Sequence, residues 1–338
     1  MEIKNLPKIE LHSHLDGSIH PKTIFELAKH NNIKLPTDSF DSFKEYVQAP
    51  ETCDSLKTYL KRFTLPIQVM QTKEQLHRIA YDYVLNLESS NIKYVEVRFA
   101  PINHLKKGLT IDEVIQSVLS GLNKASLETN IISNIIICGM RHLPVEKNLE
   151  VFKIASKYLG HGIVGVDLAG NEADFPPIIH KKAFEYAYSE GFNITIHAGE
   201  TGNFENIITS INDLKATRIG HGVNAINDLK TINLLLEKEI TLEVCPTSNI
   251  QTKAYNTYGQ HPFKALMDLG IHVTLNTDNM TVSNTTLNKE YLIINETFEL
   301  SKAEFSQLYK NSINAAFLDK KRKIELLDIT KKQIIHPL

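Results

Sequence analysis

Three cysteines, Cys53, Cys138 and Cys245, are all that the 338 residues contain. Their odd number and the lack of any C-x-x-C pair exclude a disulfide framework and a cysteine-ligated structural zinc. Cys138 and Cys245 are expected as small buried apolar residues. An excess of charge of either sign is equally lacking, with 37 Lys and Arg against 39 Asp and Glu. The formal net charge of -2 leaves no basic footprint for nucleic acid and no polybasic patch for a membrane surface. No apolar run approaches the roughly 18 residues of a membrane span, and the opening MEIKNLPKIE has no apolar core of signal-peptide length. A soluble, cytoplasmic protein acting on a small molecule is therefore expected. Internal repeats, low-complexity tracts and Gly/Ser/Pro-rich linkers are also missing, so residues 1–338 read as a single domain; no pattern specifies an oligomeric state.

What is present is a regular alternation. At 42% apolar and 22% charged, the chain can bury a full core. Short β-branched runs occur near 8–14, 93–100, 132–139, 162–170, 192–200, 217–222, 240–246 and 272–278. Between them lie stretches of helical period, such as Leu76, Ile79, Ala80, Tyr83 and Leu87. Thr72 with Gln75, Thr110 with Glu113, and Ser301 with Glu304 are spaced as capping boxes. Gly191 sits where the helix before the fifth strand should end. Eight strands separated by helices predict a single-domain (β/α)8 TIM barrel of the α/β class. The stretch from about 21 to 71 is longer than one barrel helix needs, so it predicts extra helices after strand 1 covering the C-terminal mouth.

In such a barrel the chemistry is built at the C-terminal strand ends. The first run, KIELHSH, ends with two imidazoles one residue apart. Side chains alternate along a strand, so His12 and His14 project to one side and Ser13 to the other. A surface pair of histidines has the same spacing. The residues at the other strand ends decide between the two, because Asp167 with Gly170, His197 with Glu200, His221, and Asp278 with Asn279 would converge on the same mouth. Glu96, Arg98 and Glu243 read as polar residues inside the barrel rather than as catalysts. The remaining histidines, among them His104, His142, His180, His261 and His336, read as surface or structural. The Gly-His-Gly turn around His221 also admits a plain tight loop, although flanking glycines permit a close backbone approach to a ligand.

The ordered set HSHLDGS, HAGE, GHG, CPTSN and NTDN resembles the adenosine deaminase family of the metal-dependent amidohydrolase superfamily, over nearly the whole chain. The resemblance implies that His12, His14, His197 and Asp278 hold one zinc ion per subunit. It also implies that Glu200 protonates the purine ring and that His221 orients and deprotonates the zinc-bound water. Gly170 would offer its N–H to purine N3, and Asp16 would contact the ribose. The family's second Asp after the metal-binding one is Asn279 here; an amide donates to the acceptor N7 at any pH. His14 lies where it would also face the substrate.

The chemistry asks for such residues. Hydrolytic deamination needs a nucleophile at neutral pH, which a metal supplies by acidifying water, and three imidazoles with a carboxylate suit zinc. A buried Glu200 should carry a raised pKa. The implied activity is deamination of adenosine and 2'-deoxyadenosine in purine salvage. Adenine, AMP and aminodeoxyfutalosine are alternative substrates, and a non-catalytic nucleoside-binding module is a further reading. The strand-4 end, VDLAGNE, lacks the lysine that bridges two metals in related hydrolases, and the H-x-E with P-C-x-x-C signature of cysteine-ligated deaminases is missing.

Overall fold

The computed structural model describes residues 2–50, 53–201 and 203–330; His336 lies outside them. All eight predicted strands form: β1 (Lys8–His14), β2 (Ile92–Phe99), β3 (Ile132–Met140), β4 (Ile163–Ala169), β5 (Asn193–Ala198), β6 (Arg218–His221), β7 (Thr241–Val244) and β8 (His272–Leu275). They pair in chain order, every neighbour parallel. Helices follow the strands, giving the expected (β/α)8 barrel.

Several strands end earlier than their apolar runs. After β7 the chain turns at Cys245 and Pro246 opens the helix Pro246–Gln251, because proline has no ladder donor but suits a first helical turn. After β8 the Asn276 N–H still donates to the Val244 carbonyl of β7 (2.9 Å), and the chain then closes the barrel on β1. The His14 N–H donates to the Asp278 carbonyl (2.7 Å), the Asp278 N–H donates to the His12 carbonyl (2.8 Å), and Ser13 forms a parallel bridge with Asp278. One layer down, the Leu11 N–H donates to Asn276 Oδ1 at 3.0 Å.

All three capping boxes have both arms present, opening Lys73–Leu87, Ile111–Thr129 and Lys302–Ala315. Gly191 has a φ of +85° just past the helix Lys181–Ser189, the left-handed stop that glycine makes without strain. The long segment after β1 folds into α1 (Pro21–His30), α2 (Phe40–Val47), α3 (Leu56–Leu60) and α4 (Thr64–Gln68). Tyr59 of α3 ties this cover to the loop after β8 through a 2.6 Å bond to Ser283 Oγ.

One feature of β1 departs from plain alternation. Glu10 pairs with Val95 and Ser13 with Val97, so three steps on β1 oppose two on β2. This is a β-bulge, which re-aims side chains. Ile9 and Leu11 pack inward on Tyr94, Tyr309 and Ile313 at the barrel floor. Beyond the bulge His12 also turns inward and meets Glu243 of β7. The same strand thus supplies apolar floor and polar mouth.

Candidate active site

The site rests on a charged layer across the barrel interior, all of it buried. Glu96 Oε2 pairs with Arg218 (2.6 Å), and Arg218 Nε with Glu243 Oε1 (2.7 Å). Glu243 Oε2 pairs with Arg98 (2.8 Å), and Arg98 with Asp167 (2.9 Å). Burial pushes the Glu243 carboxyl up, but Arg98 and then Arg218 outweigh it and hold it well below the usual range. Burial likewise raises the Asp167 carboxyl, and His197 with Arg98 bring it well below. Arg98→Met would remove the guanidinium that joins Glu243 to Asp167, leaving Asp167 with no cationic side chain but His197. That change should cost about 3–5 kcal/mol, the usual loss for one partner of a buried ion pair, visible as a lower denaturant midpoint at unchanged slope.

This layer orients the imidazoles. His12 Nδ1 lies 2.8 Å from Glu243 Oε2, and His197 Nδ1 lies 2.9 Å from Asp167 Oδ2. In each ring Nδ1 therefore carries the proton and donates to a carboxylate, so Nε2 presents a lone pair. These lone pairs converge. His197 Nε2 is 3.1 Å from His12 Nε2 and 3.1 Å from His14 Nε2. Asp278 Oδ1 lies 3.5 Å from His12 Nε2 and 3.3 Å from His14 Nε2. The ligand atoms of His12, His197, His221 and Asp278 also lie within 4.8 Å of one another.

Acceptors facing each other at such range repel unless a cation sits among them. Donors about 2.0–2.2 Å from one tetrahedral ion stand roughly 3.3–3.6 Å apart, close to the separations found. The donor set therefore fits a divalent metal. Electrostatics favour the ligand forms: burial, then Arg98, lowers His12 to about 4, and burial takes His14 well below its ordinary value. Burial also lowers His197, but Asp167 outweighs it and leaves that ring raised, another sign that positive charge is favoured here.

Local backbone serves the cluster. His221 and Asp278 both sit in the left-handed region, at φ +61° and +59°, a strain of about 1–3 kcal/mol each for residues other than glycine. Gly220 lets β6 approach the ring of His12, since a Cβ there would stand 2.8 Å from its Cε1. Ser248 Oγ donates to Asp278 Oδ2 at 2.6 Å, fixing the carboxylate.

The expected site residues are brought together as the sequence suggested. A cavity of about 320 Å³ is lined by His14, Asp16, Gly170, His197, Glu200, His221, Asp278 and Asn279, with His12 buried beneath. Leu56, Tyr59, Leu60, Phe63 and Ile67 of the extra helices form its cover. Glu200 is buried and its carboxyl is raised by that burial, partly offset by His221. Thr252 Oγ1 donates to its Oε1 at 2.9 Å, and Oε2 stands 3.8 Å from His221 Nε2. Burial raises Asp16 to about 6.

Some contributors went unread. His142, read as surface or structural, is exposed and lines this cavity. Glu172 of the AGNE stretch accepts from the N–H groups of Gly199 (2.6 Å) and Glu200 (3.0 Å) and from Asn206 Nδ2 (2.9 Å), so it anchors the loop that carries Glu200. Asn249 and His261 stand behind His221. Ser248, Asn249 and Glu172 lie inside quoted motifs; His261 carries no local signal. His104 and His180 are buried, in keeping with the structural reading, and so are all three cysteines.

The comparisons agree with this geometry. The family model described as adenosine deaminase matches residues 7–333. An adenosine deaminase of Clostridium kluyveri is 48% identical over 320 residues, covering 94% of this chain and 91% of its own. The crystal structure of an Arabidopsis N6-mAMP deaminase superposes with a TM-score of 0.87 at 30% identity, covering 97% of this chain and 98% of that one. An adenine deaminase from Arthrobacter aurescens shares the fold with a TM-score of 0.90 at 24% identity, covering 98% and 99%. Because the likeness runs through every strand that feeds the histidine-lined mouth, the chain belongs to the adenosine deaminase family and is a hydrolytic deaminase.

Proposed function

We propose that this protein catalyses the zinc-dependent deamination of adenosine and 2'-deoxyadenosine, giving inosine or deoxyinosine and ammonia in purine salvage. The observation that carries the reading is that Glu200, its carboxyl raised by burial, lines one cavity with the converging imidazoles and with Asp16. His12, His14, His197 and Asp278 would hold the zinc, a choice the softness and number of the donors favours. When bound, the ion acidifies water for attack at neutral pH.

The chain's own groups do the rest. Glu200 holds a proton on its carboxyl and delivers it to ring N1 as the neighbouring carbon is attacked, removing negative charge from the ring as it forms. The Gly170 N–H faces N3, and the Asn279 amide donates to N7. His14 contributes a wall of the cavity beside its ligand role. The cover from α3 and α4 excludes water and supplies apolar surface for the purine.

Substrate choice follows from Asp16 and from the charge of the lining. The buried carboxylate of Asp16 suits a ribose hydroxyl, and a site built to bond a hydroxyl is left unpaired when the sugar is missing. Among the described residues, no Lys or Arg lines the cavity, so a phosphate meets Asp16 without a counter-charge. Adenosine should exceed both adenine and AMP in kcat/KM by at least about 10²-fold, and Asp16→Ala should shrink the adenosine-to-adenine ratio. A rate comparison across the purines with purified protein checks this; adenine or AMP emerging as the better substrate overturns the substrate assignment while leaving the family intact.

A further inference from the structure

His221 Nδ1 meets an amide where His12 and His197 each meet a carboxylate. Asn249, on the helix Pro246–Gln251 after β7, places its Nδ2 at 3.0 Å from His221 Nδ1. The other end of that amide, Oδ1, is 3.2 Å from His261 Nε2. The far side of the second imidazole, His261 Nδ1, is 3.2 Å from the backbone nitrogen of Phe263. Asn249 and His261 are buried, so no polar atom of this row is free to exchange its partner for solvent.

A backbone N–H can only donate. The Phe263 N–H therefore requires a lone pair on His261 Nδ1, and the neutral His261 ring carries its proton on Nε2. That ring is kept neutral, since burial, with His221 nearby, lowers it to about 3. Its Nε2–H then requires an acceptor on Asn249, which fixes the amide with Oδ1 toward His261 and its NH2 toward His221. The opposite amide orientation would set two donors against each other. One link remains: an N–H from Asn249 at His221 Nδ1 requires a lone pair there.

We infer that Asn249 and His261 are positioning residues, and that the row from the Phe263 N–H fixes neutral His221 as the tautomer with its proton on Nε2, directed into the cavity beside Glu200. The catalytic consequence rests on the hydrolytic reading above. His221 would then offer the attacking oxygen a hydrogen-bond donor, stabilising the negative charge left once the metal-acidified water has lost its proton to solvent, rather than a free lone pair that would take that proton. This narrows the role suggested by family resemblance from orienting and deprotonating to orienting. It also gives His221 the opposite polarity from His12 and His197, whose carboxylate partners turn Nε2 into an acceptor. The partner behind each of these three rings thus separates two ligands from one donor.

The test is nitrogen NMR of the full-length protein labelled with 15N-histidine, metal-free and zinc-loaded, because protonated and unprotonated ring nitrogens are separated in shift and long-range couplings identify each. The His221 signals are assigned by their disappearance in His221→Gln. The expected wild-type result is a protonated Nε2 and an unprotonated Nδ1 for His221, and the same pattern for His261. Asn249→Asp replaces the donor by an acceptor and should swap the His221 tautomer. His261→Phe frees the amide to turn and should give mixed tautomers, whereas His261→Gln, which restores a donor toward Asn249, should return the wild-type pattern. In Asn249→Asp, kcat should fall by about 10- to 100-fold, the usual cost of removing the partner that orients a site imidazole, with KM and zinc content little changed. A wild-type His221 protonated on Nδ1, or a tautomer indifferent to both His261→Phe and Asn249→Asp, overturns the inference. If Asn249→Asp does not fold, the wild-type spectrum and the His261 pair still decide it. The spectra stand whichever purine is the substrate, so a failed substrate assignment and a failed tautomer assignment are told apart.

Discussion

Glu200→Gln should keep its metal and still bind a purine nucleoside, yet lose at least about 10²- to 10⁴-fold in kcat, the range that one general acid contributes. The substitution preserves shape, and Thr252 still finds an oxygen to bond. What disappears is the transferable proton. An amide does not release one to ring N1, so negative charge develops on the purine without relief while the ground-state complex is barely altered. The expected signature is a collapse of kcat with KM within a few-fold. Burial is what prepares the native carboxyl for this role, by raising it from the ordinary glutamate value. Metal analysis alongside the kinetics separates this from a structural effect: a variant that loses its metal as well would make Glu200 a supporting residue, and one that turns over normally would remove it from the reaction.

The complementary loss is expected from the ligand side. His12→Ala or His197→Ala should lose bound metal and activity together, down to the background rate, because each removes one of the donors that converge within 3.1–3.5 Å. Each also leaves a buried carboxylate, Glu243 or Asp167, without its imidazole partner. Both variants should therefore melt below the wild type, and added zinc should raise the melting temperature of the wild type alone. Metal content by elemental analysis is the deciding measurement; full occupancy with normal turnover in either variant overturns the assignment of the site. Together with Glu200→Gln, these variants separate holding the ion from supplying the proton.

The barrel was legible because its signals are local. β-branched runs, capping boxes and the glycine stop at Gly191 act within a few residues of themselves, and all formed as expected. The polar residues at strand ends were legible for a related reason, since barrel geometry sends them to one mouth whatever lies between. The bulge at Leu11 and His12 was not, because simple alternation has no term for an extra residue on one strand. The supporting shell was harder still. Glu172 bonds backbone groups 27 and 28 residues away, and His261 earns its place only through an amide that itself faces His221. His142 read as surface or structural and is exposed, but nothing near it in sequence reports that the loop after β3 builds a wall of the cavity.

The closure between β1 and the end of β8 has a consequence for folding. Leu11 and Asn276, joined by a hydrogen bond, are 265 residues apart in sequence, so their pairing completes one of the longest loops the chain can make. By the usual logarithmic scaling, bringing such ends together costs about 5 kcal/mol of chain entropy. The two segments share one bridge and two backbone bonds at this seam. Just above the seam, His12 and His14 from one end of the chain face Asp278 from the other. An ion gripped by all three would act as a clasp on a bracelet, bound only once the ring is nearly shut and then resisting its reopening at this seam.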